Sequence, residues 1–288
     1  MTGRGGKRRA GGAGYAALLG LGATVFGFPL YWMVRGAVID QATWTRVPLV
    51  WFPGRDLITL DAFKEIFTST QFRMGRVLLN TFALATMTMV CNVAFDCMAG
   101  FALAKMRVPG KKYVVVGLLI TLMVPFEALM VPLYLVVTKL GLANTFPGIV
   151  LPGAASAFCI ILMRQFFLSV PNDLIEAGVI DGADWGQIFA RIAMPLAAPA
   201  VATVAVITFL AGWESYIWPL LITDPHSEFD VLQKVLAQAT MVTQSGTMDT
   251  EFPWLMAAAL ISTVPVLLLF ILCQRFFIAG LTGGALKG

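Results

Sequence analysis

Three carboxyl groups stand where an apolar chain can least accommodate them: Asp96, Glu127 and Glu214 each interrupt a long hydrocarbon-rich run. An ionisable side chain in such a run is costly. It is kept as a proton or cation site, as one half of an ion pair, or as a group close to the interface. Glu214 follows Trp213 and has Ala211, Ile217 and Leu220 as apolar neighbours. Two readings stand equally for it: lining a water-filled path, where it would meet hydroxyls or a cation, or pairing with another chain. Glu127 follows Pro125, where a kink frees backbone groups, so a structural role at that bend is favoured over a path-facing one. Asp96 is read as path-facing, paired or interfacial. The aromatic residues Trp213, Tyr216 and Trp218 fit anchoring at headgroups better than stacking on a ligand ring.

Other chemistries find little support. Cys91, Cys97, Cys159 and Cys273 all lie within apolar stretches and read as small buried hydrophobes. His226 is the single histidine, so neither a metal site nor a histidine-based catalytic centre is expected. A phosphate loop of the form GxxxxGK[ST] is absent. The stretch VPGKK at 108–112 offers one glycine and two lysines without the glycine-rich cradle or the hydroxyl for Mg2+. No catalytic residue is therefore assigned, and the chain is not expected to be an enzyme. The leader with Arg4, Lys7, Arg8 and Arg9 would attract nucleic acid in isolation. A membrane span follows within a few residues, so attraction to lipid headgroups suffices and no nucleic-acid partner is expected.

The elements that carry these residues follow from composition. The chain is 58% hydrophobic and 12% charged, with a mean hydropathy of +0.82. One soluble core of this size cannot hide that much apolar surface, so lipid is the solvent. Runs of spanning length fall at about 14–38, 77–104, 113–137, 146–167, 194–221 and 254–274, six in all. Pro29, Pro125, Pro132 and Pro265 lie within them and predict kinks or tilt. The first run resembles a signal peptide by its basic leader, but it is long for such a segment and no small-residue cleavage site closes it, so it is read as a span. The division expected is a basic segment at 1–12 followed by one six-span domain over 13–288. With six spans, the amino end, the loop with Lys105, Arg107, Lys111 and Lys112, the 168–193 loop and the tail with Lys287 share one side, which the excess of basic residues makes the cytoplasm. The opposing segment 40–76 carries both signs and weakens this bias without reversing it.

One cytoplasmic loop, about 168–195, is strongly patterned. Pro171 and Asn172 are suited to starting a helix, Leu174, Ala177 and Ile180 recur at helical spacing, and Asp181–Gly182 interrupts it. A second amphipathic stretch places Trp185, Ile188, Phe189 and Ile192 on one face before Pro195 and Pro199 begin the next span. Two short helices joined at a glycine bend are expected. Their apolar side would be buried on the protein's own helix ends, in a groove of another protein, or on lipid headgroups.

The string EAGVIDGADWGQIFARIAMP, residues 176–195, resembles the EAA loop of permeases from binding-protein-dependent ABC importers. The segments PLYWM (29–33), LLNTF (78–82), MVPFEALMVPLY (123–134), LGLANT (140–145), RQFF (164–167), GWESYIWPLLIT (212–223) and GLTGGALKG (280–288) are similar to the carbohydrate-uptake branch of that family, in particular to the smaller maltose-transporter membrane subunit. The resemblance implies an all-α type I importer fold with cytoplasmic coupling helices. It makes Glu176, Ala177, Gly178, Asp181, Gly182, Ala183, Trp185 and Phe189 an ATPase-docking loop, and leaves Glu214, Trp213, Tyr216, Glu127 and Asp96 as candidates for the translocation path. It further implies a second homologous permease, two ATP-binding cassette subunits and an external solute-binding protein as partners, with a sugar-like solute. ATP and Mg would sit on the ATPase subunits, and this chain would bind no cofactor. The place implied is a bacterial or archaeal inner membrane, with both termini cytoplasmic. Two departures stand out: Gly178 where the motif has alanine, a small-for-small exchange worth about 1 kcal/mol of helix propensity, and Trp213–Glu214 where sugar permeases commonly have Trp-Asn. The competing class is an ion-coupled secondary transporter using Asp96, Glu127 and Glu214, which would need no docking helix and commonly carries internal repeats.

Overall fold

The computed structural model describes residues 5–69, 73–225, 227–245 and 251–285, with side chains over 18–69, 73–225, 227–240 and 251–273. Arg4, His226 and Lys287, named above, lie outside the described residues. Among the described residues the regular elements are all helices. In order come α1 (Gly5–Ala37), the short α2 (Gln41–Trp44) and α3 (Asp61–Thr68), and the long α4 (Met74–Lys105). Next are α5 (Lys111–Thr121), α6 (Phe126–Lys139), α7 (Phe146–Val150), α8 (Ala157–Ser169) and α9 (Asn172–Ile180). The remainder are α10 (Trp185–Ile188), α11 (Met194–Leu196), α12 (Ala198–Trp213), α13 (Ile217–Ile222), α14 (Leu232–Ser245) and α15 (Phe252–Ala285).

Local sequence explains many of the boundaries. Asp40 caps α2 by accepting the Thr43 N–H at 2.8 Å, and these bonds with Thr43 hold its carboxyl below the usual range. Thr145 caps α7 with Pro147 in the first turn, and Ser156 caps α8. Gly110, Gly141 and Gly182 take positive φ at helix junctions.

Three helical stretches cross a membrane by length and apolarity without interruption: Leu18–Ala37, Met74–Lys105 and Phe252–Cys273. Three further crossings are bent pairs: α5 with α6 at 105°, Phe146–Gly153 with α8 at 44°, and Trp185–Leu196 with α12 at 84°. Counting each pair as one crossing gives six among the described residues. The expected continuous runs at 113–137, 146–167 and 194–221 are thus each broken. Pro125 does not kink a helix but serves as the N-cap of α6, whereas Pro29, Pro132 and Pro265 lie inside helices. Pro195 belongs to α11, and α12 starts only at Ala198 with Pro199 in its first turn. At its other end α12 stops at Trp213, with Glu214 as C-cap.

The chain divides into two compact units, residues 1–73 with 236–264 and residues 74–235 with 265–288. In the first, Arg35 is buried against Trp32 and Trp44, 4.6 and 5.6 Å from their rings, and its Nε donates to Val50 O at 2.7 Å. In the second, α4 is the spine, packed on both α8 and α12. Glycine permits both approaches. A Cβ on Gly100 would lie 2.8 Å from Met163 Cβ and 2.9 Å from Arg164 N, and one on Gly212 would lie 2.7 Å from Ala85 Cα. At one end of this unit a polar knot closes the α13–α14 turn. Lys234 donates to Thr223 Oγ1, Asp224 O and Asp230 Oδ1. Arg76 meets Glu228, and Asn80 donates to the carbonyls of Glu228 and Asp230.

Candidate functional site

The patterned loop is a rigid outgrowth of the second unit's core. Ile175, Ile188 and Ala193 are buried in the same cluster as Phe101, Met163 and Phe167. The Phe101 ring lies 5.3 Å from that of Phe189 and 6.3 Å from that of Trp185. Lys105, at the end of α4, donates to Val170 O and to Asn172 Oδ1, both at 2.6 Å, which fixes the start of α9.

The bend is a Schellman turn. The Gly182 N–H donates to Val179 O at 3.1 Å and the Ala183 N–H to Gly178 O at 3.0 Å, while Gly182 takes φ +80°. Asp181 is the C-cap of α9. Asp184 then opens α10 with a reciprocal capping box: its carboxylate accepts the Gln187 N–H at 2.9 Å, and the Gln187 side chain accepts the Asp184 N–H. Beyond α10 the helix runs on through a π-turn, Phe189–Ala193, to Leu196 before the 84° corner. The second helix is therefore longer than the sequence pattern implied.

The stripe Leu174, Ala177, Ile180 does not face inward. All three are exposed, Ile180 by 85%, and the buried face of α9 is Ile175 with Gly178. A Cβ at 178 would stand 2.8 Å from Ile192 Cδ1 and 3.4 Å from Ile188 Cγ1, so glycine lets the two helices close together. Glu176 is exposed on α9 and, with Lys105, Arg107, Asn172, Val179 and Trp185, borders a cavity of about 600 Å3. Ala183 and Phe189 pack against the core beneath. The loop thus offers an exposed apolar ridge beside a hollow of mixed polar and apolar lining, both carried on the buried core.

The membrane carboxyls are not brought together. Asp96 is fully buried in α4, where its carboxylate accepts the Ser156 N–H at 3.1 Å (Oδ1) and 3.3 Å (Oδ2). It satisfies the amino end of α8, as an anion at a helix N-terminus does. Glu127 is exposed in the first turn of α6, and Glu214 is exposed at the end of α12. Trp213 is buried and stacked on Phe209, 6.2 Å between ring centres, and Tyr216 is half-buried. Trp218 is buried, its Nε1 donating to Gly148 O at 3.1 Å, so it is held inside the protein rather than at headgroups.

The sequence reading passed over another set. Thr88 and Asn92 on α4, with Ser215 past the end of α12, line a second cavity of about 450 Å3. Their signal was weak but present: Leu84, Thr88 and Asn92 recur every fourth residue and so share one face of α4.

Known proteins match this chain over most of its length. Residues 96–283 match the family described as "Binding-protein-dependent transport system inner membrane component". The arabinooligosaccharides transport system permease protein AraQ of Halalkalibacterium halodurans is 34% identical over 263 residues, 91% of each chain. The sn-glycerol-3-phosphate transport system permease protein UgpE of Brucella abortus is 32% identical over 271 residues, 92% of this chain and 93% of that one. The crystal structure of a bacterial ABC transporter involved in the import of the acidic polysaccharide alginate superposes with a TM-score of 0.81. It does so at 25% identity, over 96% of this chain and 100% of that one.

Proposed function

Since this chain belongs to the family of binding-protein-dependent transport system inner membrane components, we propose that it forms half of the translocation pore of an ATP-driven importer for a sugar or sugar-like solute. Oligosaccharides, monosaccharides and glycerol-phosphate-type solutes are the classes in view, in keeping with the names of the relatives. The other half is a second homologous permease. Two ATP-binding cassette subunits, which hold ATP and Mg, dock on the side of the patterned loop, and a solute-binding protein delivers solute from outside. The loop and both termini face the cytoplasm, following the excess of basic residues.

The observation that carries this reading is the loop's division of labour. Ile175 and Ile188 anchor it in the core, while Leu174, Ala177 and Ile180 are left exposed beside Glu176 and Trp185. An apolar ridge on a rigid helix pair fits a groove of another protein. When ATP closes the paired ATPases the cleft holding the ridge moves, and the anchored loop passes that displacement to α4, α8 and α12. The two pore states then exchange stability. Glu214, exposed at the end of α12, lines the path near the outer gate in this scheme.

The test is co-expression with the candidate ATPase and capture of the complex, with and without the pair of exchanges Glu176→Lys and Gly182→Pro. Proline fixes φ near −65° and has no N–H, so it cannot adopt φ +80° or make the bond to Val179. The expected result is loss of the ATPase from a chain that still folds. A wild-type chain that captures no ATPase and carries solute alone down an ion gradient would replace the importer with a secondary transporter.

A further inference from the structure

Two breaks within membrane crossings and the end of a third crossing meet at one place. The interruptions between α5 and α6, between α7 and α8, and between α12 and α13 contribute Phe126, Ser156 and Ser215 to the lining of the 450 Å3 cavity, which α4 floors with Thr88 and Asn92. Non-helical backbone at membrane depth persists only where protein covers it or where it borders a watered cavity. Two such breaks and the end of α12 around one hollow fit a polar pathway, and the volume lies within the range of about 300–1,000 Å3 usual for small-molecule pockets.

The lining specifies what would fit. The Asn92 amide is 1% exposed and commits both N–H groups, to Thr88 O at 2.8 Å and Gly153 O at 2.6 Å. Its Oδ1 is what remains to accept a hydroxyl. Ser215 adds a hydroxyl that can both donate and accept. Trp218, fixed by its bond to Gly148 O, and Phe126, edge-on to it at 6.5 Å, form a rigid aromatic wall of the kind that stacks on the C–H face of a sugar ring. Among the described residues no Lys, Arg, His, Asp or Glu lines the cavity, so a phosphate or carboxylate placed there would lie desolvated without a counter-charge.

We infer that this cavity is a solute subsite contributed by this chain itself, and that it takes an uncharged saccharide ring rather than a phosphorylated or acidic solute. The inference rests on the importer reading and narrows its substrate class. It makes this subunit a contact for the solute in transit, not only half of a wall, and it places the contact at Ser215 and Asn92 rather than at the carboxyls.

The assay is ATP-dependent uptake by the complete importer, reconstituted in proteoliposomes with its own solute-binding protein. The radiolabelled probes are arabinotriose, maltose, glucose and sn-glycerol-3-phosphate, and capture of the ATPase by each variant reports its folding. Ser215→Trp fills the cavity and is expected to cut uptake of a neutral saccharide by about tenfold or more. Ser215→Ala removes one hydrogen bond and is expected to raise KM about three- to tenfold. The alanine variant carries the test if tryptophan prevents assembly. Saccharide uptake at wild-type rate and KM in the variants that assemble overturns the subsite and leaves the importer standing. Uptake of sn-glycerol-3-phosphate, or of none of the neutral probes, overturns the assignment to an uncharged ring. A wild-type chain that captures no ATPase overturns the importer reading instead.

Discussion

Replacing Lys234 with methionine removes one charge from a buried knot, and the structure sets the size of the effect. Nζ donates at 2.7 Å to Thr223 Oγ1, 2.8 Å to Asp224 O and 2.6 Å to Asp230 Oδ1, so all three ammonium protons are engaged. The two ionic side chains are 1% and 9% exposed. Methionine occupies much the same volume, so the loss is electrostatic rather than a cavity, and it strands the Asp230 carboxylate beside a thioether. Breaking a buried pair on one side costs about 3–5 kcal/mol. Replacing both partners, Lys234→Met with Asp230→Leu, removes the stranded charge. What remains is two acceptors short of a donor, at about 1 kcal/mol each. Thermal unfolding of the purified chain in detergent, followed by tryptophan fluorescence, measures both. At about 2–4 °C per kcal/mol, the single exchange lowers Tm by about 6–20 °C and the double exchange by roughly half as much. A single variant within about 2 °C of wild type, or a double variant no better than the single, would refute the assignment of the knot as a structural ion pair.

Gly178→Val should wedge α9 from the segment behind it, since a Cβ at 178 already meets Ile192 at 2.8 Å. Overpacking of about 1–3 kcal/mol should weaken ATPase capture, and unchanged capture would count against a rigid docking loop. Asp96→Asn keeps an acceptor for the Ser156 N–H and should retain ATP-driven uptake, whereas Asp96→Leu leaves that N–H without its carboxylate partner at a cost of about 1–3 kcal/mol in unfolding. Abolished uptake in a well-assembled asparagine variant would instead make Asp96 a proton carrier. Glu214→Gln should alter uptake rate or solute preference if the carboxyl borders the path, and identical transport by the variant would remove it from the mechanism.

The number of crossings and the position of the bent helix pair were legible in the sequence because each rests on a sustained pattern: apolar runs of spanning length, and a helix, a glycine bend and a second helix between prolines. Which face of α9 points inward was not. Leu174, Ala177 and Ile180 form a sound amphipathic stripe, but periodicity cannot tell a stripe buried by its own chain from one left for a partner. Gly178 held the clue, since a glycine beside the motif's small residues marks where two helices touch. The breaks at 122–125 and 154–156 escaped because hydropathy averaged over a window passes across a few non-helical residues, although Pro125 punctuates the first and Pro152–Gly153 directly precedes the second. The 450 Å3 cavity was hidden for a related reason: single threonines, serines and asparagines in spans can satisfy themselves against their own helix, as Thr208 does on Val204 O at 2.8 Å. Their convergence appears only once α4, α8 and α12 are packed.

The bond between Asp96 and Ser156 also bears on biogenesis. Its partners are 60 residues apart, and Asn92 reaches Gly153 across 61. At about 5–20 residues per second, a ribosome that has just made Asp96 needs about 3–12 s more to make the amide that will cap it. During that interval α4 already has the length and apolarity of a span but carries a carboxyl with no donor, a group that lipid accommodates poorly. Arrival of the amino end of α8 supplies that donor. Pairing of the two segments during synthesis relieves this cost, which ties the integration of α4 to that of α8.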